Sequence, residues 1–429
     1  MSLRINNSSG RLQDIMSIKV RKDGCESARH GMLTQIKKMR IEDWKGLALL
    51  ALAFIPGTIW KFISPNIWII TEYENLARDN GYWLFKFVKE KHTEQQVFYP
   101  ISRKCSDYHK IAELGGVVTF GSFKHYCLFW AANKYIGTTK CYGFPYRRIC
   151  EDIVQWRLHR FKYVFLNHGF TRGYSAIVDA NETRYDMLIT CAEKDKRIII
   201  RDNDQREEFV RNLGYPRHDT LHNITTQRQQ ILIMPTWRNW LDRRLIRDGN
   251  ITEQEQKFLN SRYYLTYLSI LNNKEFGDFL DKNNLTLIFY LHEYAQGYSK
   301  FFKCSSENII IGTTDKYDIQ NLLNTSDLLI TDYSSVCYDF SYMYKPVIYY
   351  QFDKMEFENN QYAEGDLFTY DRDGFGPIAY DEDALFKLIF EAYRQGFQMQ
   401  EKYKERVDNF FKYHDQNNCK RVFEAIREL

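Results

Sequence analysis

Two histidines, an arginine and a pair of serines stand at points of this chain where a polar group can reach a ligand. His168, in VFLNHGF, directly follows one apolar run and precedes Gly169, and His292, in IFYLHEY, ends another. Arg238, in MPTWRNW, lies just past a third run, and Asp332, Ser334 and Ser335, in LLITDYSSVCYDF, follow a fourth. Imidazole takes or gives a proton near neutral pH. A guanidinium grips phosphate oxygens with two parallel N–H bonds. Serines at a helix start add hydroxyls to N–H groups that lack intrahelical partners and carry partial positive charge. Together these groups suit chemistry at a phosphate. Each also has a plainer alternative: a structural strand-end histidine, a serine N-cap, or an arginine packed between Trp237 and Trp240.

Other ways of holding a phosphate or a metal find little support. There is no P-loop and no G-x-G-x-x-G after an apolar run. The nine cysteines contain no C-x-x-C pair and no zinc spacing. D-x-D pairs, which can hold a metal-bound nucleotide, occur at Asp202–Asp204, Asp371–Asp373 and Asp381–Asp383, but solvated polar turns share that spacing. The favoured expectation is a pyrophosphate neutralised by a helix terminus and Arg238, with no metal site assigned, a metal left open as the alternative, and no tightly held cofactor.

The elements that position these residues alternate. Short apolar runs at 67–71, 96–100, 116–120, 134–139, 162–167 and 187–190 are mostly followed by stretches long enough for a helix. The second half repeats this at 230–236, 285–292, 308–312, 327–331 and 346–350, with a helix expected over 253–271 and a helical end over about 383–425. Continuous β-branched runs between amphipathic segments predict βαβ units and buried parallel sheets. The chain length, 429 residues, suits two to three domains. The Gly- and Pro-containing stretch LGYPRHDTLHN, residues 213–223, predicts the boundary. The expected layout is a lead-in with a membrane-associating segment over 1–65, an N-terminal Rossmann-like domain over 66–222, a C-terminal one over 223–395 and a helical segment over 396–429. Ligands of open parallel sheets bind beyond the carboxyl ends of the strands, here in the cleft between two such domains.

A net charge of +4 demands no nucleic-acid partner. Unpatterned thiols suit a reducing compartment, and the polar residues 1–45 do not read as a secretory signal. LALLALAFIPGTIWKFI, residues 47–63, is apolar without interruption only to Ile55, and Pro56-Gly57 is expected to break it. That is short of the roughly 20 residues that span a bilayer. Lys37, Lys38, Arg40, Lys45 and Lys61 flank or enter it, which suits a monotopic anchor on an anionic leaflet. A buried core helix is the alternative.

Seven stretches, in order, resemble the CDP-glycerol glycerophosphotransferase family of teichoic-acid primases and polymerases. They are IWIITEYENLARDNGYWLFKFV, GSFKHY, FLNHGF, LGYPRHDTL, ILIMPTWRNW, YLHEY and LLITDYSSVCYDFSYMYKPVIYY, spread over most of residues 65–353. The resemblance implies a GT-B architecture, two Rossmann-like domains facing across a cleft, on the cytoplasmic face of a bacterial membrane as a peripheral enzyme. It implies transfer of glycerol phosphate, or a related polyol phosphate, from CDP-glycerol to a lipid-linked or polymer acceptor, with release of CMP. The family's base falls on His168 and its second motif histidine on His292. The diphosphate-side residues fall on Arg238, Ser334 and Ser335, with Asp332 beside them. Acceptor recognition is expected in the N-terminal half, at Glu72, Asp79, Asn80, Lys124 and His125. The chain departs from many members in reading HGFTRGYS where they carry a Pro and a nearby Lys, and Glu293 where they carry Pro after the second histidine. The large N-terminal region of some polymerases has no counterpart in the sequence. A nucleotide-sugar glycosyltransferase of the same fold and an inactive scaffold in a polymer-assembly complex remain as alternatives.

Overall fold

The computed structural model describes residues 39–222, 229–242, 251–361 and 365–429. Most of the lead-in, with Lys37 and Lys38, lies outside them, as does the segment just after residue 222. The first half forms a seven-stranded sheet of β1 (Ile67–Thr71), β2 (Gln96–Ile101), β3 (Val117–Thr119), β4 (Lys134–Gly137), β5 (Lys162–Phe165), β6 (Met187–Thr190) and β7 (Val210–Asn212). The second forms a six-stranded sheet of β8 (Gln230–Ile233), β9 (Thr286–Tyr290), β10 (Ile309–Gly312), β11 (Leu328–Thr331), β12 (Val347–Tyr350) and β13 (Ile378–Ala379). Their orders are β3-β2-β1-β4-β5-β6-β7 and β10-β9-β8-β11-β12-β13, and every pairing is parallel. Central strands such as β1, β4, β6, β11 and β12 are buried along their whole length, which is why they read as unbroken apolar runs.

Three differences from the sequence reading have local causes. The expected 253–271 helix is two helices, Ile251–Leu259 and Arg262–Leu271, because Ser261 caps the second by accepting the Tyr264 N–H. The helical end is three helices, Glu382–Arg394, Glu401–Phe410 and Asn418–Arg427. Pro56 does not end the N-terminal helix, which runs unbroken from Ile41 to Ile63. An internal proline costs a helix about 3 kcal/mol, and docking offsets it here. Gly46, Leu50, Ala53 and Gly57 form a stripe buried against the N-terminal domain. A Cβ on Gly57 would lie 2.5 Å from the Cys127 carbonyl oxygen. Trp130 donates its indole N–H to the Leu50 carbonyl at 2.8 Å, and Lys61 donates to the Ala132 carbonyl at 2.7 Å.

One apolar cluster crosses between the halves. Phe170 of the first packs on Tyr338, Phe368 and Phe410 of the second. The last helix, Asn418–Arg427, returns to the N-terminal sheet, where Phe423 packs on Trp68. The part of the stretch 213–223 that is described, residues 213–222, ties several elements together. Its one-turn helix Pro216–Thr220 carries Arg217, which pairs with Asp79 at 2.8 Å and with both oxygens of Asp339 at 3.0 Å. His218 Nε2 lies 2.9 Å from Asp339. Burial pushes the Asp339 carboxyl up, but Arg217 and His218 outweigh burial and hold it at about 2.

Candidate active site

Loops leaving the carboxyl ends of both sheets enclose a cleft of about 600 Å³. From the N-terminal domain it is lined by residues 167–175, which follow β5, and from the C-terminal domain by Thr236 and Trp237 after β8, His292 after β9 and Tyr333–Ser335 after β11. His168, His292, Ser334 and Ser335, far apart in sequence, thus share one cavity. The halves touch at its floor: a Cβ on Gly169 would lie 3.0 Å from the Ser335 hydroxyl oxygen.

The two imidazoles are held in opposite states. His168 Nδ1 lies 3.3 Å from the Thr138 carbonyl oxygen, at the end of β4. A carbonyl only accepts, so Nδ1 carries a proton, and in the tautomer this contact selects, Nε2 of the exposed ring is the nitrogen with the lone pair. His292 Nδ1 instead accepts the Tyr294 backbone N–H at 3.2 Å, capping the short helix Glu293–Phe301. Its neutral ring therefore carries the proton on Nε2 and is a donor there. One ring can take a proton and the other can give a hydrogen bond.

The backbone beneath His168 is fixed from three directions. Asn80, fully buried at the start of the helix Asn80–Lys91, donates to the carbonyls of Leu166 and Asn167. Asn167 has a left-handed backbone, φ 57°, which turns the chain so that His168 leaves the strand toward the cleft. Asp195 accepts the Thr171 N–H at 3.0 Å, and the Tyr215 hydroxyl lies 3.0 Å from both the Gly169 carbonyl and Asp195 Oδ2. Burial raises the Asp195 carboxyl to about 7. The tyrosine has one proton for two acceptors, so a protonated Asp195 completes the chain by donating to it.

Arg238 and Asp332 stand elsewhere than the sequence reading expected. Arg238 is buried behind the cleft wall, where it pairs with Asp332 and Asp353 at 2.8 Å each and donates to the Thr236 carbonyl. Asp332 also accepts the N–H groups of Thr236 and Tyr333. The pair fixes the two loops that carry Trp237 and Ser334 and does not line the cavity. A buried guanidinium among polar loops requires such carboxylates, because an unpaired buried charge is costly.

The five acceptor-side candidates do not line the cleft either. Glu72 is buried and accepts the N–H groups of Arg78, Asp79 and Tyr82, so it ties the turn before the helix Asn80–Lys91. Burial, with Asp79 nearby, raises its carboxyl to about 8. Asp79 caps that helix and pairs with Arg217. His125 is buried against the Tyr135 hydroxyl and accepts the Gly121 N–H, and burial lowers it to about 3. Lys124 is exposed over the Phe98 ring. The D-x-D pairs are polar turns and caps: Asp202 binds Arg201, Asp373 binds Lys194 and Arg372, and Asp381 caps the helix Glu382–Arg394. Asp202 is itself the last residue of the helix Glu193–Asp202.

Sequence reasoning missed Thr138 and Asn167, which act through their own backbone, and Asp195 and Tyr215, whose side chains hold the backbone of a loop distant in sequence. It also missed Arg172 and Trp237 in the lining, although both stand in quoted motifs.

The chain is 30% identical over 370 residues to the minor teichoic acid biosynthesis protein GgaB of Bacillus subtilis, covering 86% of this chain and 40% of that protein. It is 27% identical over 273 residues to a teichoic acid poly(glycerol phosphate) polymerase of Staphylococcus epidermidis, covering 63% of this chain and 35% of the relative. The chain thus spans less than half the length of these relatives. Among solved structures, a variant of the wall teichoic acid polymerase TagF superposes with a TM-score of 0.60 at 16% identity, covering 91% of this chain and 98% of that one, a likeness of fold. The profile of CDP-glycerol:poly(glycerophosphate) glycerophosphotransferases matches residues 60–428, and the chain belongs to that family.

Proposed function

We propose that this chain transfers glycerol phosphate, or a related polyol phosphate, from a CDP-activated donor to a hydroxyl of a lipid-linked or polymer acceptor and releases CMP. The observation that carries this reading is the pair of histidines in opposite states on facing walls of one cleft. His168 Nε2 accepts the proton of the acceptor hydroxyl. The freed oxygen pair attacks the β-phosphorus, and the bond from that phosphorus to the oxygen of CMP breaks, the pair leaving with CMP. His292 Nε2–H and the Ser334 and Ser335 hydroxyls donate to the diphosphate oxygens as charge develops. Asp332 and Arg238 serve as positioning residues for those loops. Glu72, Asp79, Asn80 and His125 serve the scaffold, and acceptor contact falls to residues 170–178 of the lining.

The finer architecture follows the same reading. A GT-B arrangement, with an acceptor domain over 66–222 and a donor domain over 223–395, is supported by two parallel sheets opening on one cleft. The helix Ile41–Ile63 is long and apolar enough to cross a membrane, but a flank of it is docked on the protein. That supports a peripheral helix lying on the cytoplasmic leaflet. Nucleotide release from CDP-glycerol, CDP-ribitol and UDP- or GDP-sugars, with and without acceptor, tests the function. Acceptor-dependent CMP is the expected product. UDP or GDP from a sugar donor would overturn the reading in favour of a glycosyltransferase.

A further inference from the structure

His168 and the two serines stand on different halves of the chain, so their spacing depends on what joins the halves. Two polar paths meet at one residue, Arg217 of the one-turn helix Pro216–Thr220. The first path runs to the histidine. The Arg217 backbone N–H donates to Asn80 Oδ1 at 3.2 Å. Asn80 Nδ2 donates in turn to the Leu166 carbonyl at 3.3 Å and the Asn167 carbonyl at 2.9 Å, directly before His168. The second path runs to the serines. The Arg217 guanidinium donates to both oxygens of Asp339 at 3.0 Å each. Asp339 lies on the helix Val336–Tyr342, whose cap position is Ser335. A further guanidinium N–H donates to Asp79, which caps the helix that Asn80 begins.

Arg217 and Asp339 are buried, and neither lines the cleft. A planar fork on a carboxylate fixes direction as well as distance. Neutralising a buried guanidinium takes a carboxylate, but it does not take one from each half of the chain. The apolar cluster around Phe170 already holds the halves together. We propose that Arg217 is a positioning residue for phosphotransfer, an inference that rests on that reading. By holding Asn80 with its backbone and Asp339 with its side chain, it sets the placement of His168 against Ser334 and Ser335.

The test measures kcat for CMP release from CDP-glycerol, calorimetric binding of CDP and thermal unfolding in Arg217→Lys, Arg217→Met, Arg217→Met with Asp339→Asn, and Asn80→Ala. Arg217→Lys keeps the charge and loses the fork. Its kcat should fall by roughly 10- to 100-fold, as a misplacement of about 1 Å costs. CDP affinity should stay close to wild type, because Asp332 and Arg238 hold the serine loop from within the second half. The double variant buries no unpaired Asp339 charge and leaves His218 an acceptor. It should therefore regain melting temperature over Arg217→Met without regaining kcat. Adding Asn80→Ala to Arg217→Lys should cost less than the product of the two single losses, since both cut one path. Recovery of kcat together with melting temperature in the double variant would show a merely structural role and overturn the proposal. So would single losses that multiply, or a kcat within about twofold of wild type in Arg217→Lys and the double variant. A wild-type protein that neither binds CDP nor releases CMP would instead sink the phosphotransfer reading itself, and this inference with it.

Discussion

The second nitrogen of each cleft imidazole decides what the first can do. His168 spends Nδ1 on a carbonyl, and His292 spends Nδ1 on an N–H group. Substitutions that mimic one nitrogen at a time should separate these roles. His168→Gln and His168→Asn both lack a base and should lower turnover by about 10²–10⁴, with CDP affinity in calorimetry close to wild type. His292→Asn keeps an oxygen near the Nδ1 position, so the cap on Tyr294 survives while the Nε2 donor is lost. It should lose roughly 10²–10³ in kcat with little change in melting temperature, and His292→Gln should recover part of the rate. Equal activity of His292→Asn and wild type would remove His292 from the reaction. Both histidines were legible in sequence because each ends a buried apolar run, and chain direction in a parallel sheet then puts it at the ligand edge. Arg238 fits the same description, yet its partners Asp332 and Asp353 lie 94 and 115 residues away in sequence. No local pattern tells a guanidinium that waits for phosphate from one already paired.

At the scale of elements, the loop after β5 depends on two groups outside it. Asp195 is held at about 7 by burial, far above the ordinary value for an aspartate of about 3.9. Its folded value is raised, so its contribution is fully present below about pH 4 and is lost as pH rises through about 7. Asp195→Asn keeps an acceptor for the Thr171 N–H and a donor for Tyr215 without a charge. The variant should melt like wild type at about pH 4 and above wild type at pH 8, and a midpoint difference independent of pH would exclude this titration. Asn80→Ala leaves the carbonyls of Leu166 and Asn167 without their donor. A lost buried partner costs about 1–3 kcal/mol, and kcat should fall with KM for CDP-glycerol nearly unchanged, because the His168 ring shifts while the donor wall does not. Neither residue reveals this role from its neighbours in sequence. Element type was better marked than element end. The long apolar runs became strands, whereas the short edge strands β7 and β13, of three and two residues, carry too little pattern to see. Pro56 misled for a related reason. Its penalty is local, while the stripe of Gly46, Leu50, Ala53 and Gly57 that outweighs it is satisfied only by residues distant in sequence, the helix Phe123–Ala131 beside Gly57 and Tyr146 beside Gly46.

The whole molecule presents that docked helix with its outer face bare. Leu52 is 66% exposed, Ile55 67%, Ile59 55%, Phe62 89% and Ile63 75%, on a rod about 34 Å long. Its inner face is tied at both ends: Asp43 accepts the Tyr146 hydroxyl at 2.7 Å and pairs with Arg148, and Lys61 donates to main-chain carbonyls. To span a bilayer the helix would have to leave these buried polar contacts. To lie on one, it has only to bring its outer face to the acyl boundary, with exposed Lys45 at the headgroups. That orientation would also suit a lipid-linked acceptor, whose anchor would reach the leaflet while its polar end entered the cleft. Replacing Leu52, Ile55 and Ile59 together by Ser removes three largely exposed aliphatic side chains, which would contribute roughly 3 kcal/mol to membrane burial, or about 100-fold in partition. Cosedimentation with vesicles containing phosphatidylglycerol should therefore fall to near background. CMP release with a water-soluble acceptor should hold, because none of the three lines the cleft. Vesicle binding by the wild type should also weaken in high salt and yield to alkaline carbonate, as a helix lying on the leaflet would and a spanning one would not. Retention through carbonate would show that the helix undocks and inserts, and undiminished binding by the triple variant would move the membrane contact to another face.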